Sequence, residues 1–369
     1  MIYFDNAATS FLKPPEVYRA VYRAMLTASN PGRGTHQSAR KAAEIVYDCR
    51  EAASKLFHMD DPSRIVFTSN ATHALNLAIR SLVRPGMRVL ISGYEHNAVT
   101  RPLYAIGADV HVAGRRLFDA HDVLSDFRRQ IKTTEAVVCT HMSNVFGFKL
   151  PVDDIAALCR ENHIPLILDA SQSAGILDIN MTKLGAAFIA MPGHKSLFGP
   201  QGTGLLLCGM EGTPLMYGGT GSTSLSPDMP DSLPERLEAG TQNVPGIAGL
   251  LAGIQTVMEW GPASIHACEQ DLMHLLVDRL SELPRLKLYV DKGGTQGGIL
   301  SFTVEGTDSE SFSEALSRKG IAVRGGLHCA PLAHRSAGTI NGGTVRISLS
   351  AFNTPEEIEK TARIIRGML

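Results

Sequence analysis

The chain has 369 residues, with 35 basic and 36 acidic side chains and a formal net charge of −1 at pH 7. This length predicts two domains, or one large α/β domain with a smaller one attached. A content of 44% hydrophobic and 19% charged residues supports a packed core and excludes the disordered, collagen-like and coiled-coil classes. The balanced charge argues against a nucleic-acid partner, because phosphate binding needs clustered Lys and Arg.

The sequence predicts neither a membrane span nor secretion. It contains no run of about 18 apolar residues, the minimum for a helix that spans a bilayer. The opening segment MIYFDNAATS lacks the basic and apolar regions of a secretory signal. Six cysteines are scattered without a CxxC pair, so we expect no disulfide scaffold or structural zinc site, and a reducing cytoplasm is the expected location.

Short apolar segments predict a sheet in the first 210 residues. Amphipathic helical stretches separate several of them, the clearest at residues 71–82 and 152–162. This alternation is typical of an α/β fold whose mostly parallel sheet is covered by helices. The seven predicted strands lie at residues 64–68, 88–92, 109–112, 136–140, 166–169, 187–190 and 204–208.

The chain changes character after about residue 246. Before that point, residues 218–234 are rich in Gly, Ser, Thr and Pro and predict a loop over a site or an interface. We expect an N-terminal segment, 1–15, packed on a small domain, then a large domain, 16–246, and a small α+β domain, 247–369. The small domain is predicted to contain helices at 247–260, 268–283, 309–319 and from 355, and strands at 286–290 and 298–304.

Lys195 is the first candidate for chemistry. It follows a predicted buried strand in the segment MPGHKSLFGPQGTG, whose glycines permit tight turns and close approach of a ligand. Desolvation there lowers the pKa of a lysine and makes its amine a nucleophile for a carbonyl. Without other evidence, a solvated loop lysine explains the same pattern.

Asp169 strengthens the interpretation of Lys195. It ends the apolar run IPLILD, so its carboxylate is predicted at the carboxyl edge of a parallel strand, where α/β sheets bind ligands. A strand-end Asp followed by a loop Lys suits pyridoxal phosphate, since the Lys forms the Schiff base and the Asp keeps the ring nitrogen protonated. An Asp that only caps the following turn is the structural alternative.

A third element follows the strand at residues 64–68. The segment TSNATHALNL leads from that strand into a helix, and free N–H groups near Ala71, with the Thr72 hydroxyl, can bind a phosphate. Simple N-capping by Ser69, Asn70 or Thr72 is the alternative.

With further motifs, these segments resemble the class V aminotransferase family of pyridoxal-phosphate enzymes, specifically its cysteine desulfurase and selenocysteine lyase branch. The likeness extends over nearly the whole chain. The matching motifs are YFDNAAT at residues 3–9, RGTH at 33–36, EHN at 95–97, HMSNVFG at 141–147, DASQ at 169–172, GHK at 193–195, EAGT at 238–241 and RGGLHCA at 324–330.

The resemblance implies fold type I of the pyridoxal-phosphate-dependent transferases, with a large domain and a smaller α+β C-terminal domain that carries the cysteine loop. It implies that Lys195 binds the cofactor covalently, that Asp169 pairs with the ring nitrogen, and that His96 stacks on the ring and helps to move protons. The other implied cofactor contacts are Ala71, Thr72, Asn144, Gln172, His194 and Thr241. Thr241 would reach the phosphate of the neighbouring subunit, which implies a symmetric homodimer.

Cys329 decides the subtype. A thiol in this Gly-rich stretch can be an exposed nucleophile, and nearby Arg324, Arg335 and protonatable histidines would lower its pKa. An isolated cysteine is otherwise most often a small buried hydrophobe. The resemblance further implies that Asn144, Arg324 and Arg346 bind the substrate, because an arginine fork pairs well with an α-carboxylate. An exposed strand arginine is the structural alternative for Arg346.

Two positions depart from the family pattern. Pro192 precedes the GHK motif, where this branch usually has a serine that bonds the phosphate, so one contact of about 1–2 kcal/mol is missing. The spacing around Cys329 also differs from the usual cysteine loop. The departures leave the substrate and the persulfide acceptor open, but they do not change the assignment of the cofactor.

We therefore expect a cytoplasmic, homodimeric, pyridoxal-phosphate-dependent cysteine desulfurase. It would release alanine from L-cysteine, or from L-selenocysteine, and leave a persulfide on Cys329 for a sulfur-acceptor protein. An aminotransferase, β-lyase or epimerase of the same family, with an incidental Cys329, is the first alternative. A non-catalytic scaffold or metal-binding protein that uses His328, Cys329 and His334 is the second.

Overall fold

Twelve strands form three sheets in the computed structural model, which describes residues 1–32, 34–222, 224–294 and 296–369. In chain order the strands are β1 (Ile2–Tyr3), β2 (Ile65–Thr68), β3 (Arg88–Ser92), β4 (Asp109–Ala113), β5 (Ala136–Thr140), β6 (Leu166–Asp169), β7 (Phe188–Pro192), β8 (Gly204–Cys208), β9 (Leu286–Tyr289), β10 (Ile299–Val304), β11 (Ile321–Ala322) and β12 (Val345–Ser348).

The largest sheet has seven strands in the order β2-β8-β7-β6-β5-β3-β4. Strand β8 is antiparallel to both of its neighbours, and the other pairs are parallel. The predicted α/β fold with a mostly parallel seven-stranded sheet is thus confirmed. Strands β12, β10 and β9 form a separate antiparallel sheet, and β1 pairs with β11.

Helices cover both faces of the large sheet and one side of the small one. They are α1 (Pro15–Thr27), α2 (Gln37–Leu56), α3 (Ala71–Leu82), α4 (Asn97–Ile106), α5 (Ala120–Gln130), α6 (Val152–Glu161), α7 (Met181–Leu184), α8 (Val244–Trp260), α9 (Pro262–Ser281), α10 (Ser309–Arg318), α11 (Pro331–Ala337) and α12 (Pro355–Arg366). Strands β3, β5 and β8 and helix α3 have the bounds that the sequence predicts.

The large sheet separates two apolar cores. Along β5, Val137 and Cys139 face one core, while Ala136 and Val138 face the other, as the two-residue period of a strand requires. Because both faces of β5, β6, β7 and β8 are buried, these strands are mostly apolar, whereas the edge strand β4 is partly exposed. A third core joins the small sheet to α9, α10 and α12, and it includes Ile2 and Phe4 from the N-terminal segment.

Helix α8 crosses the predicted domain boundary at residue 246. Its residues Ile247, Leu250 and Ile254 belong to a core of the large sheet, and the helix packs against α1 and α2. Residues 247–254 therefore contribute to a core of the large sheet, and the domain boundary near residue 246 stays a prediction. Helix α9 begins at Pro262, earlier than the predicted residue 268, because Pro262 occupies its first turn.

Small residues on α8 support the loop that carries Lys195. A Cβ atom added at Gly253 would collide with the carbonyl oxygen of Leu197 and lie 3.0 Å from the nitrogen of Gly199. Backbone on this loop can therefore approach the helix only because residue 253 has no side chain.

Gly253→Ala is expected to destabilise the protein by about 1–3 kcal/mol, because the added methyl group must displace the backbone of the loop. Urea unfolding followed by circular dichroism measures this loss. The matched control is Gly367→Ala, where the added Cβ would meet its nearest atoms at an ordinary 3.6 Å. Equal stability of the two variants would contradict the role assigned to Gly253.

Candidate active site

The carboxyl ends of β5, β6 and β7 open onto a cavity of about 220 Å³. The parallel strands end at one edge, so side chains distant in sequence meet there. Of the residues predicted for the site, all but Thr241 line this cavity: Ala71, Thr72, His96, Asn144, Asp169, Gln172, His194, Lys195, Arg324, Cys329 and Arg346.

Asp169 is the last residue of β6 and is only 2% exposed. It pairs in register with Thr140 on β5 and Ala190 on β7. Its Oδ1 accepts hydrogen bonds from the backbone nitrogen of Ser171, at 2.9 Å, and from the Ser171 hydroxyl. Its Oδ2 accepts none from the residues that the structure describes. A carboxylate oxygen without a donor on the wall of a cavity is suited to a protonated ring nitrogen.

Lys195 follows β7 in a turn whose Gly193 nitrogen donates to the Thr203 carbonyl at 2.8 Å. Burial lowers the pKa of Lys195 from 10.5 to about 8, and Arg346 and Arg324 act in the same direction, while Asp169 opposes them. A substantial fraction of the amine is therefore neutral near physiological pH and can attack a carbonyl.

The N-terminus of α3 borders the same cavity. Asn70 caps the helix by accepting a hydrogen bond from the His73 nitrogen at 2.9 Å. The backbone N–H groups of Ala71 and Thr72 have no acceptor among the described residues. Together with the positive end of the helix dipole, these free donors form a site for a phosphate.

His96 caps α4 and presents a neutral ring to the cavity. Its Nδ1 accepts a hydrogen bond from the Ala98 nitrogen at 3.0 Å, which places the ring proton on Nε2. Burial lowers the pKa of His96 to about 4, so the ring carries no charge at neutral pH. It can therefore stack on an aromatic ring and donate from Nε2.

Two amide side chains predicted to contact the cofactor are partly engaged by protein. Gln172 donates one Nε2 hydrogen to the Ala7 carbonyl at 3.1 Å. Asn144 donates from Nδ2 to the His328 carbonyl at 2.8 Å. Each amide nitrogen has a second hydrogen, so each still has one donor beside these contacts.

His194 and Pro192 also line the cavity. The ring of His194 lies 3.0 Å from the Thr9 hydroxyl, and burial lowers its pKa to about 4. A neutral His194 can offer a hydrogen bond to a phosphate but no charge. Pro192 ends β7 and provides neither a hydroxyl nor an N–H donor at this wall.

Cys329 is exposed and lies in a constrained turn. The backbone φ angles of His328 and Cys329 are 49° and 56°, in the left-handed region that non-glycine residues seldom adopt. The Cys329 carbonyl accepts a hydrogen bond from the Asn97 nitrogen at 2.7 Å. Helix α11 begins two residues later, so the segment that carries Cys329 leads directly into a helix.

The histidines near Cys329 are neutral, contrary to the sequence-based expectation that they would add positive charge. His328 and His334 are buried, and burial lowers their pKa values to about 2 and about 4. The positive groups that border the cavity are instead Arg324 and Arg346. No group of three or more His, Cys, Asp or Glu side chains within the described ranges could hold a metal ion.

Arg324 and Arg346 are adjacent residues on the wall of the cavity. Their backbones form an antiparallel bridge, with the Arg346 nitrogen 2.7 Å from the Arg324 carbonyl. Arg324 is exposed, whereas Arg346 is only 2% exposed and is not the exposed strand arginine considered above. Its Nη2 pairs with Asp5, a residue to which the sequence assigned no role.

Thr241 lies outside the cavity of its own chain. It lines a second cavity, of about 350 Å³, together with Glu238. Glu238 fixes this loop, because it is buried, pairs with Arg50 at 2.6 Å and accepts a hydrogen bond from the Phe67 nitrogen at 2.6 Å. The predicted RGTH motif begins at Arg33, which lies outside the described residues.

Glu95 is a second buried acid to which the sequence assigned no role. Its Oε1 accepts hydrogen bonds from the Ser92 hydroxyl at 2.5 Å and the Thr140 nitrogen at 2.8 Å. Burial raises its pKa to about 8, and it ties β3 to β5 directly before His96. The EHN motif draws attention to Glu95, but the motif alone does not show whether this acid has a structural or a catalytic role.

A nucleophilic lysine, an unpaired strand-end carboxylate and a helix N-terminus with free donors face one cavity. The donor set fits pyridoxal phosphate, whose aldehyde, ring nitrogen and phosphate match these three groups in turn. The fold and the site therefore define a pyridoxal-phosphate enzyme of fold type I.

The chain belongs to the class V aminotransferase family, whose model matches residues 2–361, and the predicted family and cofactor are confirmed. It is 31% identical to a probable cysteine desulfurase of Methanothermobacter thermautotrophicus, over 100% of this chain and 95% of that relative. It is also 31% identical to one of Mycolicibacterium paratuberculosis, over 99% of this chain but 55% of that longer relative. The apo structure of a cysteine desulfurase from Thermococcus onnurineus superimposes with a TM-score of 0.91 at 30% identity and covers 100% of this chain and 94% of that one. No helix in the described ranges is long and apolar enough to cross a membrane.

The low pKa of Lys195 predicts how the cofactor-free protein binds pyridoxal phosphate. The rate of covalent attachment should rise about tenfold per pH unit below pH 8 and level off above it, because only the neutral amine reacts. Stopped-flow absorbance on the cofactor-free protein measures this profile.

Two variants control this measurement, because burial also lowers the pKa of Lys13 to about 8. Lys13→Arg should keep the profile, whereas Lys195→Ala should abolish attachment. A rate that still rises beyond pH 10 would show that Lys195 behaves as an ordinary solvated lysine.

Proposed function

We propose that the protein is a cysteine desulfurase that releases alanine from L-cysteine, or from L-selenocysteine, and transfers the sulfur or selenium to Cys329. The observation that carries this proposal is an exposed thiol, that of Cys329, on the wall of the cavity that also contains Lys195 and Asp169. The names of the relatives support the same activity.

The cofactor would be held by groups from four elements. Lys195 would bind its aldehyde, Asp169 its ring nitrogen and the start of α3 its phosphate, with His96 over the ring face. When bound, pyridoxal phosphate supplies an electron-withdrawing ring that stabilises negative charge on the α-carbon of an amino acid.

Lys195 and His96 would handle the protons. Lys195, with a pKa near 8, can accept the proton from the substrate α-carbon once the substrate has displaced its amine. His96 keeps its proton on Nε2, at the cavity wall that also contains Cys329. It can therefore return a proton to carbon after the sulfur leaves.

Cys329 would take the sulfur. Its thiolate attacks the sulfur of the substrate, so that a sulfur–sulfur bond forms as the carbon–sulfur bond breaks. The electron pair of the broken bond passes to the substrate, and a proton added to that carbon gives alanine. The persulfide remains on Cys329 until an acceptor thiol removes the outer sulfur.

Arg324 and Arg346 would bind the α-carboxylate of the substrate, since both are cations that line the cavity. Asn144 would assist, because its side chain contacts the loop of Cys329 and its carbonyl accepts from Arg346. This arrangement would select a free amino acid over a thiol that lacks a carboxylate.

The proposal includes a homodimer, a sulfur-acceptor protein and a cytoplasmic location. A homodimer is supported by Thr241, which lines a different cavity from that of its own site, and by exposed apolar side chains on α1, those of Tyr18, Tyr22 and Met25. An acceptor is supported by the exposure of Cys329. Six cysteines without a disulfide accord with a reducing compartment.

Cys329→Ala tests the sulfur step. Alanine release from cysteine should fall at least about a hundredfold, because no nucleophile then takes the sulfur. Mass spectrometry of the wild-type protein after incubation with cysteine should find one added sulfur on the peptide that bears Cys329.

The matched control is Cys268→Ala, because Cys268 is partly exposed on α9, outside the cavity lining. It should retain wild-type activity. If Cys329→Ala makes alanine at the wild-type rate, the desulfurase mechanism is wrong, and an aminotransferase, β-lyase or epimerase activity replaces it.

Subunit mixing tests the role of Thr241. We expect Lys195→Ala and Thr241→Ala homodimers to be inactive and strongly weakened, respectively. A hybrid of the two contains one site with both an intact Lys195 and an intact partner Thr241, so it should regain about half of the wild-type activity per dimer. Activity that does not exceed the sum of the two parents would place Thr241 outside the partner's site.

A further inference from the structure

Arg346 is a buried cation with two fixed contacts. Its Nη1 donates to the Asn144 carbonyl at 2.8 Å, and its Nη2 donates to Asp5 Oδ1 at 2.5 Å. Its Nε is buried and has no partner among the described residues. Protein groups thus bind both terminal nitrogens of the guanidinium, while its Nε–H group has no acceptor among the described residues.

Asp5 supports Arg346 from outside the cavity. Arg346 lines the cavity and Asp5 does not, so Asp5 is not positioned to receive a ligand there. The Asp5 backbone is fixed by a parallel bridge to Ser348, and its carbonyl accepts hydrogen bonds from the Ala8 nitrogen at 3.0 Å and the Tyr3 hydroxyl at 3.2 Å. The Asp5 carboxylate therefore extends from a hydrogen-bonded backbone and, with the Asn144 carbonyl, fixes the two terminal nitrogens of Arg346.

The local charge makes this support necessary. Arg324 is adjacent to Arg346 through the backbone bridge, and Lys195 lies on the same cavity. Among the described residues, the only ion pair that any of these three cations forms is the one between Arg346 and Asp5. Without it, repulsion and burial would both disfavour a charged Arg346 in its present place.

We propose that Asp5 is a positioning residue for the substrate: it holds the Arg346 guanidinium so that its remaining donors bind the α-carboxylate of an amino acid. The inference rests on the proposed function only in taking an amino acid as the substrate. It assigns a role to the acid of the N-terminal segment, which thereby becomes part of the active site without touching the substrate.

The experiment compares two ligands that each contain part of cysteine. Propionate has the carboxylate without the amine and thiol, and cysteamine has the amine and thiol without the carboxylate. In Asp5→Asn protein loaded with cofactor, the dissociation constant of propionate should rise at least tenfold, while that of cysteamine should change less than twofold. Calorimetry measures the first constant and cofactor absorbance the second.

Steady-state kinetics should show the same division. In Asp5→Asn, the KM for cysteine should rise about tenfold while kcat changes less than twofold. The reason is that the contact between Arg346 and the carboxylate stabilises the bound substrate and the transition state equally. Asp60→Asn, the same change at an exposed position, is the matched control and should leave both ligands unaffected.

Each other outcome overturns the inference. Unchanged propionate binding would show that Arg346 needs no support, and equal weakening of propionate and cysteamine would show general damage to the site. If Asp5→Asn does not fold, Asp5→Glu retains the charge on a longer arm, and it should weaken propionate about threefold and spare cysteamine. Because both ligands report binding, failure to make alanine would reject the proposed function without touching the role of Asp5.

Discussion

The proposed chemistry of this protein depends on keeping the amine of Lys195 away from water. Lys195 is held at the edge of the sheet by a turn after β7, and α8 supports that turn because Gly253 allows the backbone to approach. Desolvation lowers the pKa of the amine to about 8, while the carboxylate of Asp169 limits the decrease. The parallel sheet sets this balance, since β6 and β7 end side by side.

The site also joins three parts of the chain. Arg346 on β12 donates to Asn144 from the large domain and to Asp5 from the N-terminal segment. If Arg346 lost either acceptor, a buried N–H donor would be left without a partner, which is energetically costly. β12, the segment at Asn144 and the N-terminal segment therefore have to assemble together. The arginine end of the site therefore needs all three parts, and the lysine end depends on helix α8 as well as on the large sheet.

Much of the site could be predicted from the sequence, because most of its residues lie in short motifs. Asp169 and Lys195 follow apolar strands whose ends are easy to locate, and α3 begins at Ala71 as predicted. Contacts between distant residues could not be predicted. Nothing local to Asp5 indicates that it pairs with Arg346, and the neutrality of His328 follows from burial, which a sequence without a fold does not specify.

The turn at Cys329 limits how its thiol can move. The carbonyl of His328 is bound by the Asn144 side chain, and that of Cys329 is bound by the backbone at Asn97. An outward movement of this backbone would break both bonds and would take two residues out of the left-handed region. Because the thiol is already exposed, rotation of the side chain can reorient it without breaking either bond. The backbone thus fixes the Cα atom of Cys329 at the cavity wall and leaves its side chain free to turn.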